Sequence, residues 1–145
     1  MNEIKFVDEQ KASESLPEDF EPYVKEWFNS EFPSLSEPQK YSFDLIHENQ
    51  SSLICAPTGS GKTLSAFLSA LNELFMMGDE GELEDEVYVL YVSPLRALGN
   101  DIERNLEAPL TGIKRKAEEM GREVPEVRSA VRTGDTPQSE RSKML

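Results

Sequence analysis

Ala56-Pro57-Thr58-Gly59-Ser60-Gly61-Lys62-Thr63 is the stretch that decides the reading of this chain. The apolar run Ser52-Leu53-Ile54-Cys55 before it reads as a buried parallel strand. Thr63 to Met77 after it reads as a helix, with Leu64, Phe67, Leu68, Leu71 and Leu74/Phe75 at helical spacing. Strand, glycine-rich turn and helix together are the context in which such a string is a phosphate-binding loop. Backbone N–H groups of Thr58 to Lys62 would wrap a β-phosphate at the positive end of the helix. Gly59 and Gly61 permit backbone shapes and a closeness that a Cβ would block. Lys62 would reach the β- and γ-phosphates, and the Thr63 hydroxyl would ligate Mg²⁺. The pattern predicts a site for a nucleoside triphosphate.

The 145 residues leave room for one domain, and 37% apolar content is modest for a doubly wound domain complete in itself. No 18-residue apolar stretch and no signal-peptide core occur, so no membrane partner is expected. The one cysteine, Cys55, fits a reducing cytoplasm and is expected in the core. With His47 as the sole histidine, a zinc site of ordinary His/Cys type is excluded; His47 reads as a polar residue on a half-exposed helix. The net charge of −13 is unevenly spread: residues 1–86 carry −14 and residues 87–145 carry +1. Six of the nine residues from Gly78 to Glu86 are carboxylates and read as a solvated loop. Contact with a polyanion is therefore expected after residue 87.

Along the chain, residues 1–16 read as a loosely ordered tail, 17–51 as a helical region, and 52–145 as an α/β unit. Pro22 opens a short helix carrying Tyr23, Trp27 and Phe28. Ser36-Glu37-Pro38-Gln39 opens another, running to about Glu48, with Ser36 as N-cap and Gln39 placed for a capping box. Val87 to Val92 and Val127 to Thr133 read as further buried strands. Leu95, Leu98, Ile102 and Leu106 mark a helix face. Pro109 starts the next helix, with Leu110, Ile113, Ala117 and Met120 inward and Gly121 at its end. Thr136-Pro137 caps a last helix still running at Leu145. Alternating strands and helices predict a parallel sheet with right-handed crossovers.

Gln39, Ala56 to Thr63, Ser93-Pro94-Leu95-Arg96-Ala97-Leu98 and Arg132-Thr133-Gly134-Asp135-Thr136 stand in the order and spacing of superfamily 2 helicases. The chain most resembles their Lhr (large helicase-related) group from about residue 20 onward. The resemblance implies a P-loop NTPase fold, the N-terminal part of a RecA-like domain, with Lys62 as its catalytic lysine and ATP and Mg²⁺ as cofactors. It implies Gln39 as the Q-motif glutamine that reads the adenine edge, although the capping box asks for glutamine at the same place. Phe32 is the candidate aromatic to pack on adenine; Trp27 and Phe28 compete for that role or belong to the core. Ser93, Pro94 and Arg96 resemble motif Ia, which touches the nucleic-acid backbone, against the alternative of a plain strand–helix turn with Arg96 solvated. Thr133 and Gly134 resemble the next backbone-contacting turn, or are an ordinary turn. Lys114-Arg115-Lys116 reads as a solvated helix face. The Walker B Asp-Glu box and the second motor domain of the family have no counterpart before Leu145. The expectation is thus the front part of an ATP-driven helicase acting on single- or double-stranded nucleic acid, DNA before RNA, as a monomer. In isolation it would be inactive. A non-catalytic nucleotide-binding switch is the rival reading, and a P-loop kinase or transporter ATPase would lack the Ser-Pro-Leu-Arg turn.

Overall fold

Three amphipathic helices form as their periodicity predicts. The computed structural model describes residues 4–7, 12–94, 99 and 101–144. Helix α1 spans Pro22–Glu31, with proline in its first turn, where its missing N–H costs nothing. Helix α2 spans Glu37–His47 behind Ser36, and α3 spans Lys62–Asp79. Helix α4 (Ala108–Glu119) follows directly on a π-helical turn, Glu103–Glu107. A short α5 (Gln138–Arg141) passes into a 3₁₀ turn, Ser142–Met144.

Helix α3 is the pillar. It packs against α2 on one side and against the π-helical turn on another, while α1 lies on α4. The core between them is aromatic: Phe20 and Phe28 meet Phe43 edge-to-face at 6.0 Å, and Tyr23 meets Phe75 at 5.8 Å. Each such pair adds about 1 kcal/mol beyond the area it buries. Asn72, fully buried on α3, accepts the Glu21 N–H at 2.8 Å and so fixes the start of α1. Arg122, just past α4, bonds Glu21 at 3.1 Å and Asp79 at 3.0 Å and lies 5.1 Å over the Tyr23 ring. Burial, seconded by Glu21 and Asp79, holds the Tyr23 phenol protonated far above its ordinary pKa.

The segment before α1 is not a loose tail throughout. The Ser13 N–H donates to the Lys40 carbonyl at 2.8 Å, its hydroxyl bonds Asp44, and Leu16 and Phe20 are buried. Asp19 meets His47 at 2.7 Å, and that hydrogen bond lowers the Asp19 carboxyl below its ordinary 3.8. Residues 12–20 thus strap α2 from outside, with Leu16, Pro17 and Phe20 buried, while residues 4–7 are exposed without a break.

Among the described residues there is no β-strand. Residues 52–55, 87–92 and 127–133, all expected as sheet, run without regular structure and without a ladder partner. Leu53 is 90% exposed, and Leu90 and Val92 are 83% exposed. A strand preference is largely a preference for a pleated surface that neighbours cover. Where nothing pairs with the backbone, a β-rich run stays coil. Tyr91 docks against Phe67 at 4.8 Å, and Val127 packs on the edge of the core. Cys55, expected in the core, is exposed for the same reason.

Pro109 does not start its helix. The chain is already helical at Asp101 and Ile102, and Pro109 falls inside a continuous helical stretch. Its ring would press on the carbonyl four residues back. The chain takes a wider π-helical turn there, with the Ala108 N–H reaching the Glu103 carbonyl. Met120, expected inward, is the C-terminal cap of α4 and is exposed, while Ile113 and Ala117 are fully buried. No described helix is long and apolar enough to cross a membrane.

Candidate nucleotide-binding site

The loop from Ala56 to Gly61 makes its turn over Thr58-Gly59-Ser60 and delivers Lys62 as the first residue of α3. Gly59 and Gly61 both take the left-handed backbone, at φ 79° and 90°, where a side chain is strained. A Cβ on Gly59 would meet nothing within 4 Å, so its backbone is uncovered at the tip of the loop. A Cβ on Gly61 would lie 2.6 Å from Gln39 Nε2, so this glycine is required by close approach as well as by φ. The Ser60 hydroxyl is buried without a hydrogen-bond partner among the described residues. Left-handed glycines, an uncovered backbone at Gly59 and an orphaned hydroxyl at a helix N-terminus together fit a phosphate group.

Lys62 Nζ donates to the carbonyls of Ala56 at 2.9 Å and Pro57 at 3.2 Å, holding its ammonium inside the loop. Thr63 follows it, half-buried at the start of α3.

Helix α2 grips the loop through its first turn. Ser36 Oγ donates to the Ser60 carbonyl at 2.6 Å. Gln39 Nε2 donates to the Gly61 carbonyl at 3.2 Å, and Gln39 Oε1 accepts the Ser36 N–H at 2.9 Å, the return half of a capping box. At 4% exposure, Gln39 keeps one N–H and one acceptor lone pair for any other partner. The cap and the loop grip therefore use the same amide that a base would need. Phe32 sits nearby at the end of α1, 4.9 Å from Phe28 and 6.1 Å from Trp27. Those two are buried core, and Phe32 is the exposed member of the trio.

Ser93 is held by Asp101, which accepts from its hydroxyl at 3.3 Å and also from the Tyr91 hydroxyl. Burial and that bond raise the Tyr91 phenol above its ordinary value. Pro94 is exposed beside it, and Arg96 lies outside the described residues. Thr133 and Gly134 form a turn that closes on itself: the Thr133 N–H donates to Thr136 Oγ1 at 2.8 Å, and the Asp135 N–H to Thr133 Oγ1 at 3.2 Å. Arg141 staples this turn by donating to the carbonyls of Thr136, Thr133 and Gly134 at 2.7, 3.1 and 2.9 Å. Gly134 has neither a positive φ nor a near neighbour, so the turn does not demand glycine for its own shape. Asp101 and Arg141 were not visible as site supports in the sequence. Their partners lie five to ten residues away, and nothing in residue type separates them from solvated charges. The loop, Ser36 and Gln39 form one connected unit, and no hydrogen bond among the described residues joins them to Ser93 or Thr133.

The model of the DEAD/DEAH box helicase family matches residues 36–144. The chain is 53% identical to ATP-dependent helicase Lhr-Core protein 2 of Thermococcus barophilus, over 98% of this chain and 16% of that protein. It is 50% identical to ATP-dependent helicase Lhr-Core of Methanocaldococcus jannaschii, over 100% of this chain and 17% of that protein. A solved structure of Mycobacterium smegmatis helicase Lhr bound to ssDNA and AMP-PNP matches with a TM-score of 0.74 and 43% identity, covering 88% of this chain and 16% of that one. The chain thus spans about one-sixth of the length of these relatives. The likeness in sequence and in three dimensions assigns it the RecA-like P-loop fold. With the family model matched over most of its length, the chain belongs to the DEAD/DEAH box helicases, and the relatives it most resembles among these are Lhr proteins.

Proposed function

We propose that this chain is the ATP-binding front part of a RecA-like motor domain, coupling ATP hydrolysis to movement along a nucleic-acid strand within a longer cytoplasmic, monomeric helicase. The observation that carries this is the single unit formed by α2 and the phosphate loop: Ser36 and Gln39 fasten the carbonyls of Ser60 and Gly61 beside Lys62. In this reading Thr58 to Lys62 cradle the β-phosphate and Thr63 is the Mg²⁺ ligand. Lys62 exchanges the carbonyls of Ala56 and Pro57 for the β- and γ-phosphates. Bound Mg²⁺ supplies charge neutralisation at the transferring phosphoryl group. Segments 52–55, 87–92 and 127–133 are the strands of the parallel sheet, paired when the rest of that sheet is present. The Lhr structure bound to ssDNA and AMP-PNP supports single-stranded DNA as the track and ATP as the fuel.

Gln39→Ala removes both the partner of the Gly61 carbonyl and the return half of the cap. It is expected to cost about 1 kcal/mol of stability. In the longer protein it should also raise the KM for ATP and narrow the preference over GTP, because the amide keeps one donor and one acceptor with which to read an adenine edge. A variant that loses melting temperature alone, with nucleotide choice intact, makes Gln39 a cap and a loop clamp only.

The test of the nucleic-acid half of the proposal is Arg96. Arg96→Ala should weaken single-strand binding equally at all sequences, since phosphate contacts carry no base information. The slope of log affinity against log salt should become shallower by about 0.7. ATP binding without nucleic acid should not change. Anisotropy titrations at several salt concentrations measure the slope, and an unaltered slope removes Ser93, Pro94 and Arg96 from the track.

A further inference from the structure

Between the phosphate loop and the Ser93 turn the described residues make no hydrogen bond, but a line of touching side chains runs from one to the other. Phe67 lies on α3 one turn beyond Thr63 and is 8% exposed. Tyr91 packs its ring edge-to-face on Phe67, with centroids 4.8 Å apart. Its chain neighbours Leu90 and Val92 are both exposed, so this ring pins the segment to α3 at a point where it is otherwise uncovered. The Tyr91 hydroxyl donates to Asp101 Oδ2, and the same oxygen accepts the Ser93 hydroxyl at 3.3 Å. Asp101 is placed in turn by Asn105, whose Nδ2 donates to the Asp101 carbonyl at 3.2 Å. Phe67, Tyr91, Asp101 and Ser93 thus join the helix that carries Lys62 and Thr63 to the turn read as the track contact.

The Ser93 end of this line is loosely held. Its one hydroxyl proton points either at Asp101 Oδ2 or at the Pro94 carbonyl, both 3.3 Å away, against about 2.8 Å for an ordinary O–H···O bond. A strand phosphate can take that proton at little cost. Doing so strips Asp101 of one donor and sets a like charge beside it, and both effects drive the carboxylate toward the Tyr91 hydroxyl. Tyr91 is backed by Phe67, so the push arrives on α3. In the other direction, a nucleotide draws Lys62 off the Ala56 and Pro57 carbonyls and reloads the first turn of α3, next to Phe67. Resting on the nucleotide and track reading above, we propose that Tyr91 and Asp101 are positioning residues of the motor. Neither touches ATP or the strand, and together they make occupancy of the phosphate loop and of the Ser93 turn felt at each other.

The longer protein is titrated with a labelled oligothymidylate, with and without saturating Mg-AMP-PNP, and the ratio of the two Kd values is the coupling factor. In the parent it is expected to be about fivefold or more. Tyr91→Phe keeps the ring on Phe67 and deletes the donor to Asp101. It should shrink the factor by roughly threefold, while the Kd of each ligand without the other stays within about twofold. Asp101→Ala should shrink it as much, and the two changes combined should cost no more than one alone, since both cut the same link. Phe67→Leu, which keeps apolar bulk on α3 and removes the ring, should act alike. In the ATPase assay Tyr91→Phe should lower the rate at saturating strand by about threefold, with the half-saturating strand concentration and the strand-free rate unmoved, a split that mere loss of fold does not produce. A parent factor near one overturns the inference, as does a factor unchanged in Tyr91→Phe or in Phe67→Leu. So does a Tyr91→Phe protein in which both separate Kd values weaken together, since the contacts would then only support the fold. Ser93→Ala tells this failure from failure of the track reading. If it weakens strand binding while Tyr91→Phe keeps the full factor, the link alone is refuted. If neither Ser93→Ala nor Arg96→Ala alters strand binding, the track turn falls and takes the link with it.

Discussion

Gly112→Ala is expected to lower the stability of the chain by about 3 kcal/mol, with a fall in Tm of roughly 10 °C. The reason is a clash that no small adjustment relieves. The new methyl would stand 2.2 Å from Trp27 Nε1 and 2.5 Å from Cδ1. An indole is rigid beyond its two χ angles, and this one is wedged between α1 and α4 with Phe32 against its edge at 6.1 Å. Relief requires α1 and α4 to part, which loosens the seam that also holds Tyr23, Phe28, Ile113 and Ala117 in the core. Alanine is the better helix former by about 1 kcal/mol, so the overpacking must exceed that gain before the loss is visible. Calorimetry of the single variant, and of Gly112→Ala combined with Trp27→Leu, separates the two effects. The smaller side chain removes the obstacle, so the double variant should be more stable than the sum of the two single losses by 1 kcal/mol or more, about the size of coupling between touching residues. Gly134→Ala is the control, since a Cβ there meets nothing within 4 Å. A Gly112→Ala chain that melts at or above the parent temperature would mean that the α1–α4 seam is looser than its distances say.

That seam shows where sequence reading stops. Helices α1, α2 and α3 were legible because each carries its own evidence: an apolar stripe, a proline or serine at its start, a glycine turn before it. The phosphate loop was legible because its chemistry is local, eight consecutive residues whose glycines must take left-handed backbone. The link between α2 and the loop was only half legible. Gln39 suited both a capping box and a base reader, and its second bond, to the Gly61 carbonyl, crosses 22 residues that no local pattern spans. Arg122 was invisible for the same reason: its partners Glu21 and Asp79 lie 101 and 43 residues away. Pro109 misled because proline favours a first helical turn, and nothing local shows that a helix is already running into it. The three β-rich runs stay unpaired here for another physical reason. Strand structure is a property of a pair, and Leu53, Leu90 and Val92 carry the right residue types with no neighbour to pair with. Residue type recorded what those segments suit, and the fold around them decides whether they adopt it.

Lys62→Ala should separate binding from chemistry at the loop and have the largest effect of any single change. In the longer protein, strand-stimulated ATP hydrolysis is expected to fall on the order of 10²-fold or more, the scale for losing one preorganised positive group at developing charge. Stability should hardly move. Lys62 Nζ bonds the carbonyls of Ala56 and Pro57 on a loop open to solvent, where water replaces a lost donor at a cost of about 1 kcal/mol or less. That asymmetry distinguishes a catalytic lysine from a structural one, and a parallel melting curve reads it. Lys62→Arg should not rescue the rate, since a planar fork cannot sit where a compact ammonium is enclosed by two carbonyls and the first turn of α3. The 145-residue chain itself should bind Mg-ATP weakly, in the high micromolar range or about −5 kcal/mol, because the cradle of Thr58 to Lys62 is local. It should show no turnover, because no Asp-Glu pair follows Thr133 to hold Mg²⁺ and align water. Calorimetry and a phosphate-release assay on the same preparation check both statements. Turnover that copurifies with this chain and disappears in Lys62→Ala would show that the acid it requires lies within these residues, and a carboxylate such as Asp101 beside Ser93 or Asp135 in the Thr133 turn would then have to be brought to the loop.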